Sequence, residues 1–314
     1  MKRYKLIVAL IGLLSLSGYS QKTYLYSGTP VSLTENKLTV TPVGDLLPEA
    51  KTGFQGMAIH NDWLISLEHS GVATIYTMNG EKLTRKGCLK LGSHSMSNHC
   101  NSANFSHLKA QSEDELPLLY VSRCNTEKMA DGLDRIAFVE RINPIGMKSE
   151  LVQRIYFNTS PKTITGNTTW AIDKENGMLI SLTNTLWNKG VCNKHMLVKF
   201  HLPQYRGPQD SLVVLTLQDA VEEYYLEDYY NKPFSPIMQG LNVKNNLLFI
   251  PVGVGTKKEP SYLYIWNLAA HCMQNEINLQ EAIPSELEDS DYRNGSIYLQ
   301  TQSMGIQRID FIRP

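Results

Sequence analysis

Two carboxylates have the type and setting to do chemistry. Glu68 ends the apolar run "WLISLE", and Glu288 lies within the acidic stretch "SELEDSDY". A pair of carboxyl groups in a poorly hydrated mouth can divide the work of acid and base, because burial raises the pKa of a carboxyl. Other residues have side chains able to grip a polar ligand. They are Gln55, His69, Asn101, Asn104, Arg123, Thr168, Trp170, Asn184, Gln239, Glu286 and Gln302. All lie far apart in the chain, so only a fold that gathers strand ends around one opening could assemble them. The segment "GSHSMSNHCNSANFSH" adds His94, His99, Cys100 and His107. It has neither a helical histidine pair nor a C-x-x-C knuckle, so neither metal nor any other cofactor is expected. A G-x-S-x-G elbow, a phosphate loop and an H-E-x-x-H helix are also missing from the sequence.

The elements that must position these groups repeat along the chain. "FQGMAIHNDWLISLEHSGVATIYTMNGE" near the start and "MQGLNVKNNLLFIPVGVGTKKEPSYLYIWNL" near the end share one pattern. Each has Gln-Gly, a short apolar run, a polar pair, a strand-like run, a glycine loop and a second strand-like run. Related units begin at "NSANF", "NTTWAID" and "SELEDSDY", which makes five copies. The runs are rich in Val, Ile, Leu, Phe and Tyr and are bounded by Asn, Asp, Gly or Pro, the signature of strands joined by turns. A fourth strand follows in four copies, at 83–91, 149–157, 211–218 and 273–280. The last copy ends without one, and "KLTVTPV" (37–43) is free to supply it beside 305–311. The pattern predicts an all-β, five-bladed β-propeller closed by its N-terminal strand. Six blades is the alternative, should the 190–236 region hide another. A helix is expected at 219–231, where Leu217, Val221, Tyr224 and Tyr225 share a helical face.

Propeller geometry brings together the starts of the innermost strands and the ends of the second strands. That convergence is what nominates the residues above. Gln55 and Gln239 occupy equivalent positions and can equally latch adjacent blades. Cys100 and Cys124 flank one such strand pair and are a possible disulfide.

The remaining composition narrows partners and location. Thirty basic and thirty acidic residues balance, which argues against nucleic acid as a partner. Lys2, Arg3 and Lys5 precede the apolar run Leu6–Gly18, which is too short to span a bilayer comfortably and reads as a signal peptide over 1–20. No transmembrane segment is expected in the mature chain. The chain then divides into a linker at 21–36 and a single propeller domain at 37–314. "LSGY" resembles a lipobox, but Tyr19 stands where the lipidated cysteine would be. Export to the periplasm or cell surface is therefore expected.

The stretch Gln55–Gly71 resembles the first blade of the five-bladed glutaminyl cyclotransferases, with Glu68, Ser70 and Gly71 matching a glutamate, small hydroxyl residue and glycine. The resemblance implies that Glu68 is a general acid/base for cyclising an N-terminal glutamine with loss of ammonia. That family's later motif, an acidic segment leading into a strand rich in Trp and Asn, is not matched by "SELEDSDYRNGSIYLQ". A wider set of motifs covers most of the mature chain: "QG", "NHCNSANF", "PLLYVS", "FVERI", "LVQRI" and the acidic segment before "NGSIYL". Together they resemble a group of uncharacterised exported β-propeller proteins of Bacteroidetes, which implies a location but no activity. The leading expectation is a binding or scaffold module recognising a glycan, a peptide or a protein at the central funnel. The alternative is an enzyme in the funnel, a glutaminyl cyclotransferase or a carbohydrate-active enzyme, with Glu68 and Glu288 catalytic.

Overall fold

A computed structural model describes residues 23–25, 30–33, 37–44, 52–80, 82–125, 127–188, 191–192, 194–232, 234–235 and 237–311. The expected signal peptide lies outside them. Five small sheets form a ring, a five-bladed β-propeller, and a two-stranded hairpin (Trp187–Asn188 with Val191–Cys192) stands apart. From the channel outwards, blade one runs Phe54–His60, Trp63–Glu68, Val72–Asn79 and Lys82–Lys90. Blade two has Ala103–Phe105, Leu119–Ser122, Ile136–Asn143 and Lys148–Asn158. Blade three has Thr168–Asp173, Met178–Asn184, His195–His201 and Ala220–Tyr225. Blade four has Asn242–Lys244, Leu247–Val252, Tyr262–Asn267 and Cys272–Asn278. Blade five has Leu287–Arg293, Ser296–Thr301 and Ile306–Phe311.

Closure occurs where the sequence places it. Leu38–Gly44 pairs antiparallel with Ile306–Phe311, with Val40 opposite Ile309, and Val31–Leu33 adds a further strand outside it. Thr23–Leu25 pairs with the outer strand of blade one. Two short strands thus fall within the stretch read as a linker. The apolar residues confirm the ring, because the buried core is divided into five clusters, each between adjacent blades. Ile65 and Leu67 of blade one meet Phe105 and Phe138 of blade two, and so on around to Val43 and Tyr298 against Met57 and Leu64. Each sheet is covered on both faces, which is why its strands read as continuous apolar runs. Asn245-Asn246 and Asn294-Gly295 have positive φ at both residues, the twist that two-residue hairpins demand.

Two expectations fail. Leu212–Thr216 does not close blade three. It runs parallel to Lys148–Asn158 as a fifth strand of blade two and buries Leu215 in the core between blades two and three. The expected helix at 219–231 is instead the strand Ala220–Tyr225, flanked by short 3-10 turns at Leu217–Asp219 and Leu226–Asp228. Its charges explain the choice. Glu222 pairs with Lys199 on the neighbouring strand and with His271 of blade four at 2.6 Å, and Glu223 pairs with Lys162. Tyr224 accepts a hydrogen bond from the Trp266 indole at 3.0 Å. The acidic residues thus meet cations on other elements, and no solvated helical face is formed.

If ring closure by the N-terminal strand holds the fold, Val40→Asp should be severe, since Val40 is 1% exposed in the core between blades four and five. An uncompensated buried charge costs roughly 3–5 kcal/mol. Thermal unfolding should show a large drop in midpoint, and an unchanged midpoint would show that closure contributes little.

Candidate functional site

The repeated Gln-Gly has a structural origin. In blade one Phe54 pairs with Glu68 and Met57 with Ser66, leaving Gln55-Gly56 in a break of the ladder. In blade four Gln239-Gly240 sits between the isolated Met238–Val252 bridge and the paired Asn242. Both breaks lie at the upper end of an innermost strand, where neighbouring blades come closest. A Cβ on Gly56 would lie 2.6 Å from the carbonyl oxygen of Cys100, and one on Gly240 would lie 1.8 Å from Asp289 Oδ1. Only glycine fits either position. Gln239 then reaches sideways, its Nε2 donating to Glu286 Oε1 at 2.6 Å, while the main-chain carbonyl of Gln55 accepts from Gln300 Nε2 at 2.8 Å.

A ladder of carboxyls runs down the inner strand of blade five. A bulge at Glu288 breaks the alternation between Leu287 and Asp289, so two consecutive carboxyls find polar partners around the channel. Glu288 is 1% exposed, and Oε1 accepts from Gln302 Nε2 at 2.8 Å. Gln302 Oε1 in turn accepts from the Phe54 amide at 3.1 Å, which carries the connection into blade one. Burial, followed by the adjacent Glu286 and Asp289, pushes the Glu288 carboxyl well above the ordinary range. Glu286 is raised more modestly, by burial. Asp289 lies deeper. Oδ2 accepts from the amides of Met57 and Ala103, both at 2.8 Å, and Oδ1 from its neighbour Ser290 at 2.9 Å. Burial raises its pKa, and these donors pull it back only in part. Asp291 Oδ2 accepts from Ile59 at 2.5 Å, and Oδ1 from Asn242 at 2.9 Å.

The nominated residues divide into three groups. Asn101, Asn184 and Gln239 line one cavity of about 310 Å³ at the upper mouth, together with His99, Cys124, Asn167 and Thr169. The Oδ1 atoms of Asn167 and Asn184 are buried and have no hydrogen-bond partner among the described residues. A second group, Glu68, Gln55, Glu288, Glu286 and Gln302, lies towards the junction of blades five and one. Glu68 is buried and shares a strand face with Ser66, whose hydroxyl donates to Gln300 Oε1 of blade five at 2.6 Å. Gln239 bridges the two groups, accepting at its carbonyl from Asn101 and donating to Glu286. His69 also reaches the upper mouth, with Nδ1 3.0 Å from His99 Nδ1. Burial and His69 lower the His99 pKa to about 4, so that ring is neutral at pH 7.

The third group is structural. Trp170 is 1% exposed and packs edge-on against Phe157, centroids 6.3 Å apart, in the core between blades two and three. Its indole is taken up by packing, which corrects its nomination as a ligand contact. Thr168 donates to or accepts from Thr183 at 2.9 Å within its own blade. Asn104 lies inside the channel, where Nδ2 donates to the Leu241 carbonyl at 3.0 Å and Oδ1 accepts from Asn242. Arg123 is fully buried and donates to the carbonyls of Asn125 and Asp134 in its own loop and of Met96 in the preceding one, fastening the two together. The expected Cys100–Cys124 disulfide is not formed, as both are free thiols. Each sits in a left-handed backbone conformation at an irregular strand end. Cys124 Sγ turns to Thr169 Oγ1 of blade three at 3.7 Å, and burial raises its pKa to about 11. The channel clasps Ser102, Asp289, Asp291, Asn242 and Gln300 were missed by the sequence reading, although the acidic stretch holding two of them was noticed. Among the described residues, no three His, Cys, Asp or Glu side chains are grouped to hold a metal ion, and no helix is long and apolar enough to cross a membrane.

No protein-family model matches the chain, and no curated protein does. Solved structures similar to it include a glutaminyl cyclase from Myxococcus xanthus (TM-score 0.48, 12% identity, 87% of this chain and 97% of that one). Others are a glucose dehydrogenase (TM-score 0.46, 12% identity, 86% and 98%) and the WD40 β-propeller domain of Doa1 (TM-score 0.43, 10% identity, 86% and 96%). None of them lends a residue role to this chain.

The state of Glu288 has a pH signature. A carboxyl whose folded pKa is raised stabilises the fold fully below its unfolded value, near 4.5, and loses that contribution as pH rises through the folded value. Glu288→Gln removes the titration, so the variant should gain on the wild type as pH increases. Unfolding midpoints of both proteins from about pH 4 to about pH 9 provide the comparison. Parallel curves would place Glu288 in a more hydrated setting.

Proposed function

We propose that the chain is a binding module whose upper mouth takes a polar, uncharged ligand segment, from a glycan or a peptide. One observation carries this reading: a cavity of about 310 Å³ lined by four amide side chains, two of which bury carbonyl oxygens without partners. An unsatisfied buried acceptor costs roughly 1–3 kcal/mol, which a ligand hydroxyl or N–H can recover. Amides offer donors and acceptors side by side, the same pairing that sugar hydroxyls and peptide groups present. His99 is neutral there, so the lining favours hydrogen bonding over ion pairing. The balanced net charge supports a partner other than nucleic acid. The basic and apolar leader supports action outside the cytoplasm.

A glycan and peptide array followed by calorimetry tests the proposal. Asn184→Ala should weaken the ligand found by about tenfold or more, given about 1.4 kcal/mol per tenfold. Silence across the array, or a ligand indifferent to Asn184, would count against it.

A second reading, an enzyme using the carboxyls at the junction of blades five and one, draws on the raised pKa of Glu288 and the burial of Glu68 beside it in the ring. A carboxyl that keeps its proton near neutral pH can act as an acid. Incubation with a glutaminyl peptide should then release ammonia, with Glu68→Gln reducing the rate at least a hundredfold, the scale of general acid–base catalysis. Equal release by the two proteins would end this reading.

A further inference from the structure

The opposite end of the channel has a larger cavity, about 480 Å³, that the upper mouth does not use. Three blades end their innermost strand there on a basic residue, and in a fourth a lysine follows the strand. His60, Lys244 and Arg293 are the last residues of their strands, and Lys174 directly follows Asp173. The acids of the same rim are already engaged. Glu175 pairs with Lys244 and accepts from the Asn245 amide, and Asp62 pairs with Arg293 at 2.6 Å. Asp291 is 3% exposed, and its oxygens accept from Ile59, Asn242 and Tyr292. What remains open towards the cavity is a set of donors. Among the described residues, neither Lys174 nor His60 makes a hydrogen bond or ion pair. The lysine ammonium has three N–H groups and the neutral imidazole has one. Lys174 acts on the buried Asp291 only through its charge, and burial holds that carboxyl above its ordinary range, so the open face of the cavity presents N–H donors to which no acceptor is bound.

We infer that the lower mouth is a second ligand site, specific for a compact oxyanion such as a phosphate, sulfate or carboxylate group, with Lys174 as its main contact and His60 beside it. A lysine serves such a ligand as a point charge. The site is independent of the amide-lined cavity at the other face. His60 reports on it directly. Its pKa is lowered by burial and then by Lys174 and Lys109, against an opposing pull from Glu115. An anion seated between His60 and Lys174 would offset the lysine charges and move that pKa upwards.

The experiment follows the His60 ring by NMR and the unfolding midpoint of the full chain, in inorganic phosphate, sulfate or acetate, each against sodium chloride of equal ionic strength. Phosphate or sulfate should raise both the His60 titration midpoint and the unfolding midpoint, and chloride should raise neither. A response to acetate alone would assign the site to carboxylates, and a response only to phosphate and sulfate would assign it to tetrahedral anions. Lys174→Met should abolish the response, while Asn184→Ala, at the other face, should retain it. Identical responses in chloride, or a full response in Lys174→Met, would overturn the inference. Should Lys174→Met fail to fold, an unmoved His60 resonance in the wild type would overturn it equally.

Discussion

Asp289 has no exposed surface and accepts hydrogen bonds from the inner strands of two other blades, at Met57 and Ala103. Its Oδ1 lies against Gly240 of a third. A propeller places its innermost strands side by side without hydrogen-bonding them into one sheet, so their upper ends have amide groups with no ladder partner. A buried N–H must be satisfied somewhere. One carboxylate answers for two of them, and the same device is repeated one step lower, where Asp291 accepts from Ile59 and Asn242. The ring is thus fastened from the inside by acids, while the five apolar clusters fill the space between blades. The carboxyls higher on the same strand, Glu286 and Glu288, are left to the mouth, where glutamines bind them instead of backbone amides.

This arrangement separates two tasks that share one strand. The lower acids are held mainly by main-chain amides that cannot leave, with the buried Asn242 side chain added at Asp291, so they are structural. The upper acids are held by flexible amide side chains that can exchange one partner for another. The neighbouring cavity between blades two, three and four has the same chemistry of amides facing open space. A mouth built in this way can take a ligand without dismantling the axis beneath it.

Much of the architecture was legible because it rests on local rules. Strands buried on both faces read as apolar runs, and Asn245-Asn246 and Asn294-Gly295 mark hairpin turns through their backbone needs alone. Convergence of strand ends then brought Asn101, Asn184 and Gln239 into one cavity. What was not legible depended on contacts between distant segments. The residues Ala220–Tyr225 carry a helical pattern, yet Glu222 and Glu223 find Lys199, His271 and Lys162 on three other elements. Cys100 and Cys124 flank paired strands, but their left-handed backbones turn the thiols apart in a way spacing does not reveal. Which acid of "SELEDSDY" becomes the clasp is decided by one bulge, and a bulge has no composition of its own.

The pairing of Val40 with Ile309 sets an order of assembly. Four blades can be built from consecutive segments as the chain emerges, because nearly all their strands are neighbours in sequence. The fifth cannot, since one of its strands is made before the four other blades and its partner after them. Until Ile306–Phe311 is made, Leu38–Gly44, paired on one side with Val31–Leu33, presents its other hydrogen-bonding edge open. Such edges recruit other chains, and contacts this distant form slowly. The propeller is therefore most exposed to aggregation in the interval before Ile306–Phe311 arrives, and a polypeptide cut short ahead of that strand would remain in that state.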